Sequence, residues 1–340
     1  MLFINRISSF NRHTFMKRSV QIFLFLVSVG FLGSFDFLQQ GGQLSSLARR
    51  IGKGIQYRVV GQDSYHPGEK VEYSVNYGMF GTIANASIRV ESGLFTVNDR
   101  VCYKVRMKGK TKGTFTEKLG FRVDDTWISY IDNEAITSQR FFRYIAENKF
   151  RREEYLYLNP ATNTARLKFE VFTVENKYKM PKESAEGPEY ILAEADKKEV
   201  RKEDKQVVIP ADKQDADGYY YMQDLISGYY YMRTLNFDKL KEGDVITIPA
   251  IFEEQTYSFR IVYGGLDEVK IKGKYIEAHK FIPDLSGFTD DLFRGQNPIT
   301  FWVSADKNHI PLKAEAKIFL GAIDLTLEQH ENLLHTAEGY

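Results

Sequence analysis

Residues 218–233 read GYYYMQDLISGYYYMR, with six tyrosines and the motif GYYYM twice, ten residues apart. Tyrosine rings can stack on an apolar ligand while their hydroxyls meet water. A strand would place both copies on one face, whereas a helix would turn them about 80° apart. We interpret the repetition as coincidence. The predicted aromatic groove consists of Tyr220, Tyr221, Tyr230, Tyr231, Trp127 and Trp302. The alternative is that these rings form an ordinary, well-packed core.

Carboxylates and histidines offer little catalytic chemistry. The pairs Asp124-Asp125 and Asp290-Asp291 could supply an acid and a base from different loops. Adjacent strand residues point to opposite faces, however, and Asp pairs in turns commonly cap the backbone. Turn geometry also accounts for His309. Because the sequence has no nucleophile elbow, phosphate-binding glycine loop or HExxH motif, we predict a non-catalytic protein; a hydrolase that uses loop carboxylates is the remote alternative.

Histidine and cysteine spacing favours neither a metal site nor a disulfide. His330 and His335 are five residues apart, whereas two ligands on one helical face need a spacing of four. Cys102 is the only cysteine, so the chain cannot form an internal disulfide, and its alternating surroundings indicate a small buried thiol. We predict no metal ion and no cofactor.

The charge balance argues against polyanionic partners. The chain has 46 Lys plus Arg and 45 Asp plus Glu, a formal net charge of +1. Such a balance gives no strong field for nucleic acid, or for an anionic membrane surface. The 43% hydrophobic and 14% aromatic residues are instead enough for a large core.

The N-terminal residues 1–36 resemble an export signal. Lys17 and Arg18 precede the apolar run Val20–Phe35, which is shorter than the roughly 20 residues of a spanning helix. We predict export to the periplasm or cell envelope, with Met16 as a candidate start. An uncleaved N-terminal anchor is the alternative, and residues 37–64 would form a linker.

Most of the remaining chain alternates apolar and polar residues with the period of two that is typical of strands. In Lys70–Tyr77, for example, Val71, Tyr73 and Val75 share one face. Similar runs are Ile83–Val90, Val101–Lys108, Phe115–Val123, Trp127–Ile131, Arg151–Leu158, Thr164–Val174, Val245–Phe252, Gln255–Tyr263, Asp267–Ile271, Tyr275–Ile282, Ile299–Val303 and Ile310–Leu327. The pattern predicts a mainly β protein, a long antiparallel meander that forms a curled sheet, an open barrel-like roll or a sandwich.

Residues 176–217 have a different composition, because twenty of these forty-two residues are charged. A segment of this kind buries too little apolar surface to offset its ordering entropy. We predict a mobile insertion there, inside a single domain of residues 65–328 with lobes at 65–175 and 218–328. Residues 329–340 would form a tail.

A short helix is predicted near residues 224–234. Asp224 can accept a backbone N–H as the N-cap. Leu225, Tyr229 and Met232 follow at helical spacing and form one stripe that could lie against the sheet. Arg233 falls near the C-terminal end, where a positive charge is favourable.

Several segments together resemble the DUF3108 family of exported Gram-negative envelope proteins. They are GEKVEYSVNYGMFGTIANASIRV (68–90), VDDTWISYID (123–132), DLISGYYYMR (224–233), the region of Lys272–Lys274 and FWVSADKNHIPLKAEAKI (301–318). The resemblance covers roughly residues 65–328. It implies an exported, β-rich protein and assigns no activity to it.

We expect this sequence to encode an envelope protein that binds a hydrophobic component, a lipid or an acyl chain, in an aromatic groove. The aromatic residues expected to face inward are Phe115, Phe121, Trp127, Tyr130, Phe169, Phe172, Tyr257, Phe259 and Trp302. The alternative is an envelope scaffold that docks a partner protein through strand edges or through the charged insertion.

Overall fold

The computed structural model describes residues 57–113, 122–176, 182–183, 190–191, 196–213, 215, 218–252, 254–284, 299–318 and 321–340. The predicted export segment, Asp290-Asp291, Phe115 and Phe121 lie outside these residues.

The strands are β1 Lys70–Tyr77, β2 Thr82–Val97, β3 Arg100–Thr111, β4 Asp124–Asp132, β5 Ser138–Glu147, β6 Phe150–Asn159, β7 Thr164–Val174, β8 Lys182–Glu183, β9 Tyr190–Ile191, β10 Lys197–Gln206, β11 Val245–Phe252, β12 Gln255–Ile271, β13 Lys274–Asp284, β14 Ile299–Ser304, β15 Pro311–Ile318 and β16 Gly321–Glu331. The described α-helix is α1, Leu225–Met232.

Fourteen of the strands form one antiparallel sheet. Their order is β10-β7-β6-β5-β4-β3-β2-β1-β16-β15-β14-β13-β12-β11, and β8 pairs with β9 separately. The sheet is therefore two meanders joined in the middle by β1 and β16, with β10 and β11 at its two ends. The predicted fold class is confirmed: the protein is mainly β, with one described α-helix and an antiparallel sheet that does not close into a barrel.

Two tight hairpins set the register on both sides of the sheet. Asn98 and Asp99 connect β2 to β3 with φ values of 51° and 59°, and Lys272 and Gly273 connect β12 to β13 with 48° and 87°. Two consecutive positive φ values match the twist of the flanking strands. Asn, Asp and Gly tolerate this backbone best, so the turn chemistry of the sequence fixes these pairings.

Irregular registers bend the longest strands. The pairing of β2 with β3 shifts between Val90 and Leu94, and that of β12 with β13 shifts between Tyr263 and Leu266. Bulges increase the local twist and help a sheet to curl. The alternating run Ile310–Leu327 is divided into β15 and β16, which pair with each other.

The concave face of the sheet encloses one continuous apolar core that also contains α1. The predicted stripe of Leu225, Tyr229 and Met232 is fully buried, but Ile226 and Tyr230 on other sides of the helix are equally buried. The helix contacts both β4 and β11. It is thus an internal element and does not lie on the surface of the sheet.

Part of the predicted mobile insertion is an ordered edge strand. β10 pairs with β7, where Lys197 binds Glu170 and Arg166 binds Asp204. Composition concealed this strand because none of its side chains is fully buried.

Both predicted flanks of the domain also pack onto it. In the predicted linker Tyr57 is buried, and in the predicted tail the Tyr340 hydroxyl donates to Asp306 at 2.6 Å. No helix among the described residues is long and apolar enough to cross a membrane.

Candidate ligand-binding site at the open seam

The two ends of the sheet, β10 and β11, face each other without strand pairing in the described part of the chain. We call this gap the open seam. Side chains close it at one point, where Lys205 of β10 forms an ion pair with Glu254 in the β11–β12 turn. Farther along, Lys213 Nζ donates to Ser258 Oγ at 2.6 Å. At these two places the seam is closed by side chains and not by sheet hydrogen bonds.

The segment before α1 covers part of the edge of β11. Gln223 donates its N–H to the Pro249 carbonyl and accepts from the Ile251 N–H, both at 2.9 Å. Pro249 lacks an N–H, which suits an edge strand. The Met222 carbonyl accepts from Thr137 Oγ1 at 3.0 Å. The residues before the helix thus link β11 to the start of β5.

Two phenylalanine rings near the seam lie beside cations. The Arg143 guanidinium is 4.8 Å from the centre of the Phe252 ring, and Arg152 is 4.3 Å from that of Phe169. Lys205 lies 6.0 Å from the Phe169 ring. Phe252 is half-buried, whereas Phe169 is buried. Aromatic faces and cations alternate here, an arrangement that accepts apolar chains and anionic groups alike.

Arg143, Glu154 and Arg152 form an ion triad next to these rings. Arg143 Nη2 donates to Glu154 Oε2 at 2.9 Å, and Arg152 Nε donates to the same oxygen at 2.8 Å. Arg143 and Glu154 are almost completely buried. Burial alone would raise the pKa of Glu154, but the two guanidinium groups lower it overall. The carboxylate therefore remains charged and keeps both arginines in place.

Two buried polar atoms near this triad, Asp125 Oδ2 and Trp127 Nε1, have no hydrogen-bond partner among the described residues, and neither has Gln223 Oε1 at the covered edge of β11. Trp127 pairs directly with Arg143 across β4 and β5, and Asp125 precedes it on the same face. Buried donors and acceptors are normally satisfied by protein groups or by ordered water. The atoms of Asp125 and Trp127 therefore mark a polar patch on the inner wall near the seam.

Asp125 is the titratable member of this patch. Its Oδ1 accepts the Ala146 N–H at 2.7 Å. Burial raises the pKa of Asp125 to about 7, although the charges of Arg143 and Arg151 oppose that shift.

At the C-terminal end of α1, Arg233 forms a buried ion pair in which the guanidinium has several hydrogen-bond acceptors. Arg233 Nη2 donates to Glu69 Oε2 at 2.7 Å and to the Ser64 carbonyl at 2.8 Å, and its Nε donates to the Asn308 carbonyl at 3.0 Å. Burial alone would lower the pKa of Arg233, but the Glu69 carboxylate raises it well above its ordinary value. We call this network the Arg233 pin, because it fixes the helix against residues far away in sequence.

The N-terminus of α1 is also held firmly. Asp224 Oδ1 accepts the N–H groups of Ile226 and Ser227 at 2.8 and 2.9 Å, which confirms the predicted N-cap. Its other oxygen accepts the Ser129 hydroxyl of β4 at 2.6 Å. Both helix ends therefore attach to the sheet through buried carboxylates.

The four tyrosines of the predicted groove occupy different environments. Tyr230 is fully buried, packs edge-on against Tyr65 at 4.6 Å and donates its hydroxyl to Glu69 at 3.4 Å, so it does not meet water. Tyr221 is 2% exposed, and its hydroxyl accepts the Arg58 N–H at 2.8 Å. Tyr220 and Tyr231 are half-buried. The structure thus divides these residues between core and surface, and their role as a groove stays a prediction.

The two tryptophans are also separated. Trp127 is buried in the inner wall and packs edge-on against Phe141 at 6.0 Å. Trp302 is half-buried on β14 and donates Nε1 to Asp267 at 3.0 Å. Only Trp127 belongs to the polar patch near the seam.

The other residues considered for chemistry have structural partners. His309 donates Nδ1–H to the Arg233 carbonyl at 2.9 Å, and His335 and the Asp63 carbonyl share a hydrogen bond at 2.5 Å. Burial raises the pKa of Cys102 to about 12, so the thiol stays protonated. In the part of the chain that the structure describes, no three His, Cys, Asp or Glu side chains could hold a metal ion together.

Sequence reasoning missed Arg143, Glu154 and Glu69. A signal for two of them exists, because Arg143 falls at the inward position between Phe141 and Ile145, and Glu154 lies two residues from the inward Leu156. Charged residues at inward positions of a strand require a partner inside the fold.

The family model described as "Protein of unknown function (DUF3108)" matches residues 72–185 and 193–328, more than half of the chain. The chain belongs to the DUF3108 family. The resemblance seen in the sequence is therefore confirmed at the level of the family. This DUF3108 protein has no match among the curated proteins.

Among solved structures, this DUF3108 protein is similar to the beta-barrel-like protein of domain of unknown function DUF1849 from Brucella abortus. The two chains are 9% identical and superpose with a TM-score of 0.42. The match covers 81% of this chain and 99% of the other.

Proposed function

We propose that this DUF3108 protein is an exported, non-catalytic protein of the cell envelope that takes up a hydrophobic envelope component, a lipid or an acyl chain, through the open seam. The observation that carries the proposal is the seam itself. Where Lys205 and Lys213 bridge the seam, the apolar interior is closed by side chains and can admit a chain-like molecule at low cost, whereas a closed barrel would have to break backbone hydrogen bonds.

The inner wall supports a ligand with an apolar chain and a polar group. Phe252 and Phe169 offer apolar faces near the seam, and the unpartnered atoms of Asp125 and Trp127 offer a donor and an acceptor. Ligand pockets commonly combine an apolar lining with a few placed polar groups. Pairing of β10 or β11 with a partner strand has less support, because β10 carries many charges and β11 contains Pro249.

The first experiment is native mass spectrometry of the protein purified from its natural host, followed by organic extraction of bound molecules. We expect a retained lipid, and saturable binding of 1-N-phenylnaphthylamine after the lipid is removed. Repeated preparations without lipid, together with no saturable dye binding, would overturn the proposal.

A second experiment tests the route of entry. Lys205 and Glu254 are replaced by cysteines and joined with a bis-maleimide, which locks the seam. The matched control joins positions 110 and 124, an ion pair between the adjacent strands β3 and β4. We expect the first crosslink to slow dye entry at least tenfold and the second to leave it unchanged. Equal entry rates would rule out the seam as the entrance.

A further inference from the structure

A row of alternating cations and tyrosines crosses the outer face of the sheet, which is the face that points away from the apolar core. Strand pairing places Lys104 beside Tyr130, Tyr130 beside Arg140, Arg140 beside Tyr157, and Tyr157 beside Arg166. The row thus runs across β3, β4, β5, β6 and β7. The neighbouring residues on these strands face inward into the core, so the row itself faces outward.

Arg140 is the unusual member of this row. Its guanidinium lies between two rings, 5.4 Å from the centre of Tyr157 and 5.9 Å from that of Tyr130. No carboxylate or other acceptor among the described residues binds its side chain, and its Nε is buried without a hydrogen-bond partner. By contrast, Arg166 in the same row donates to both oxygens of Asp204.

A partly exposed arginine without an acceptor points to an anionic ligand. Arginine has five N–H donors in a planar fork that fits a carboxylate or a phosphate. The two tyrosine rings hold the fork in one orientation, which lowers the entropy lost on binding. Lys104 adds a second positive charge in the row, whereas the charge of Arg166 is balanced by Asp204.

Tyr157 also lines a surface cavity of about 300 Å³, in which Arg166 and not Arg140 supplies the cation. Its lining includes Asn98, Tyr157, Asn159 and Gln206. The Tyr157 hydroxyl and the Gln206 amide have no side-chain hydrogen-bond partner among the described residues. Tyr157 is 36% exposed, so the ring is accessible to a ligand.

We propose that this outer face binds an anionic sugar group, a saccharide that carries a carboxylate or a phosphate. The guanidinium of Arg140 binds the anion through two parallel hydrogen bonds. Tyr157 packs against the apolar face of the sugar ring, and the amides of Asn159 and Gln206 bind its hydroxyls. A cavity of this volume accommodates a single sugar unit, with further units continuing along the row.

The proposal is tested by calorimetric titration of the purified protein with D-glucuronate and glucose 1-phosphate, with D-glucose and inorganic phosphate as references. We expect both acidic sugars to bind saturably and both references to bind at least tenfold more weakly. Arg140→Gln should weaken binding of the acidic sugars at least tenfold. The matched control Arg260→Gln removes one exposed positive charge from β12 and should leave binding unchanged.

Two readouts keep the test decisive if Arg140→Gln folds poorly. Tyr157→Ala changes an exposed ring and should also weaken binding at least tenfold, and the Nε–H resonance of Arg140 in the wild-type protein should shift on addition of D-glucuronate. The absence of saturable binding of both acidic sugars overturns the proposal, as does equal binding by Arg140→Gln that retains its fold. Equal affinity for glucose 1-phosphate and inorganic phosphate overturns the role of the sugar ring.

Discussion

The Arg233 pin and the Arg143–Glu154 pair are both buried ion pairs, but their surroundings differ. Around Arg233, the donors of the guanidinium meet Glu69 and backbone carbonyls, and three tyrosine rings pack around it. Around Arg143, the carboxylate is shared with Arg152, and a carboxyl oxygen of Asp125 and the indole N–H of Trp127 lack partners in the described part of the chain, whereas the unpartnered atoms near Arg233 are the hydroxyls of Tyr65 and Tyr73. Both pairs are complete, but Arg143–Glu154 lies beside an unpartnered carboxyl oxygen near the open seam, whereas the Arg233 pin lies at the end of a buried helix.

The comparison separates buried charges that stabilise the fold from buried polar groups that are available to a ligand. A buried charge is tolerated only when its partners are in place. The Arg233 pin meets that condition with residues of this chain and fixes the helix. The Arg143–Glu154 pair meets it as well, but Asp125 and Trp127 beside it keep unpartnered atoms, and this region lies where the sheet is open.

The largest change in stability is expected for Arg233→Met, which removes the cation of the Arg233 pin. Because Glu69 would then be a buried carboxylate without a cation, we expect a loss of about 3–5 kcal/mol in the free energy of unfolding. Urea unfolding followed by circular dichroism measures this loss. The double substitution Arg233→Met with Glu69→Met should restore most of the stability, since both charges are then removed. A double variant no more stable than the single one would contradict the assignment of the pin.

The second test concerns pH and Asp125. The carboxyl has a pKa of about 7 in the folded protein, above the value near 4 in the unfolded chain, so the folded state binds more protons between these values. Stability should therefore fall as the pH rises from about 4 to 7. Asp125→Asn should remove the contribution of this carboxyl to the fall, which is on the order of 4 kcal/mol for a shift of about three pKa units.

The measurement is a series of urea unfolding curves at several pH values for both proteins. Asp125→Asn should be the more stable protein above pH 7, and the difference should vanish near pH 4. Parallel stability curves over the whole range would show that Asp125 does not titrate in this window.

A smaller effect is expected for Arg143→Met. Glu154 keeps Arg152 as a partner after this change, so we expect a loss of only about 1–2 kcal/mol. Thermal and urea unfolding provide the measurement, with Arg233→Met as the reference. A loss as large as that of Arg233→Met would mean that the two ion pairs are equivalent.

The smallest effect on stability is expected for Lys205→Gln, which removes the ion pair across the open seam. Exposed pairs contribute little to stability, so the melting temperature should not change. The rate of dye entry should nevertheless rise, because one of the contacts that close the seam is lost. Lys110→Gln removes an ion pair inside the sheet and should change neither quantity. If the rate of dye entry is unchanged in Lys205→Gln, the Lys205–Glu254 ion pair does not control entry through the seam.

Local signals in the sequence predicted most of the strands and the helix, because their causes lie within a few residues. Strand β5 was missed because nearly all of its residues are buried, so its sequence does not alternate. Alternation identified β1 and β11 closely, and Asp224 marked the start of α1. Strand β10 was missed because its side chains bury no apolar stripe, and it is held by pairing with β7.

The candidate site was less predictable, because its contacts depend on the curl of the sheet. Glu69 and Arg233 are 164 residues apart, and Phe252 reaches Arg143 only when β11 comes round to the first lobe. Aromatic content identified Trp127 as an inward residue but could not separate it from Trp302, which lies half-exposed on another strand. Sequence spacing contains no information on the open seam, which is set by the number of strands and their twist.

The central position of β1 beside β16 has a consequence for biosynthesis. Val71 pairs with His330, so the first strand of the large sheet stays without one of its neighbours until β16 has left the ribosome. The first meander can assemble while translation continues, but it exposes an apolar strand edge during that time. Such a topology delays the final step of folding and makes it depend on contacts between remote parts of the chain. Truncated chains that lack β16 should therefore require a chaperone to stay soluble.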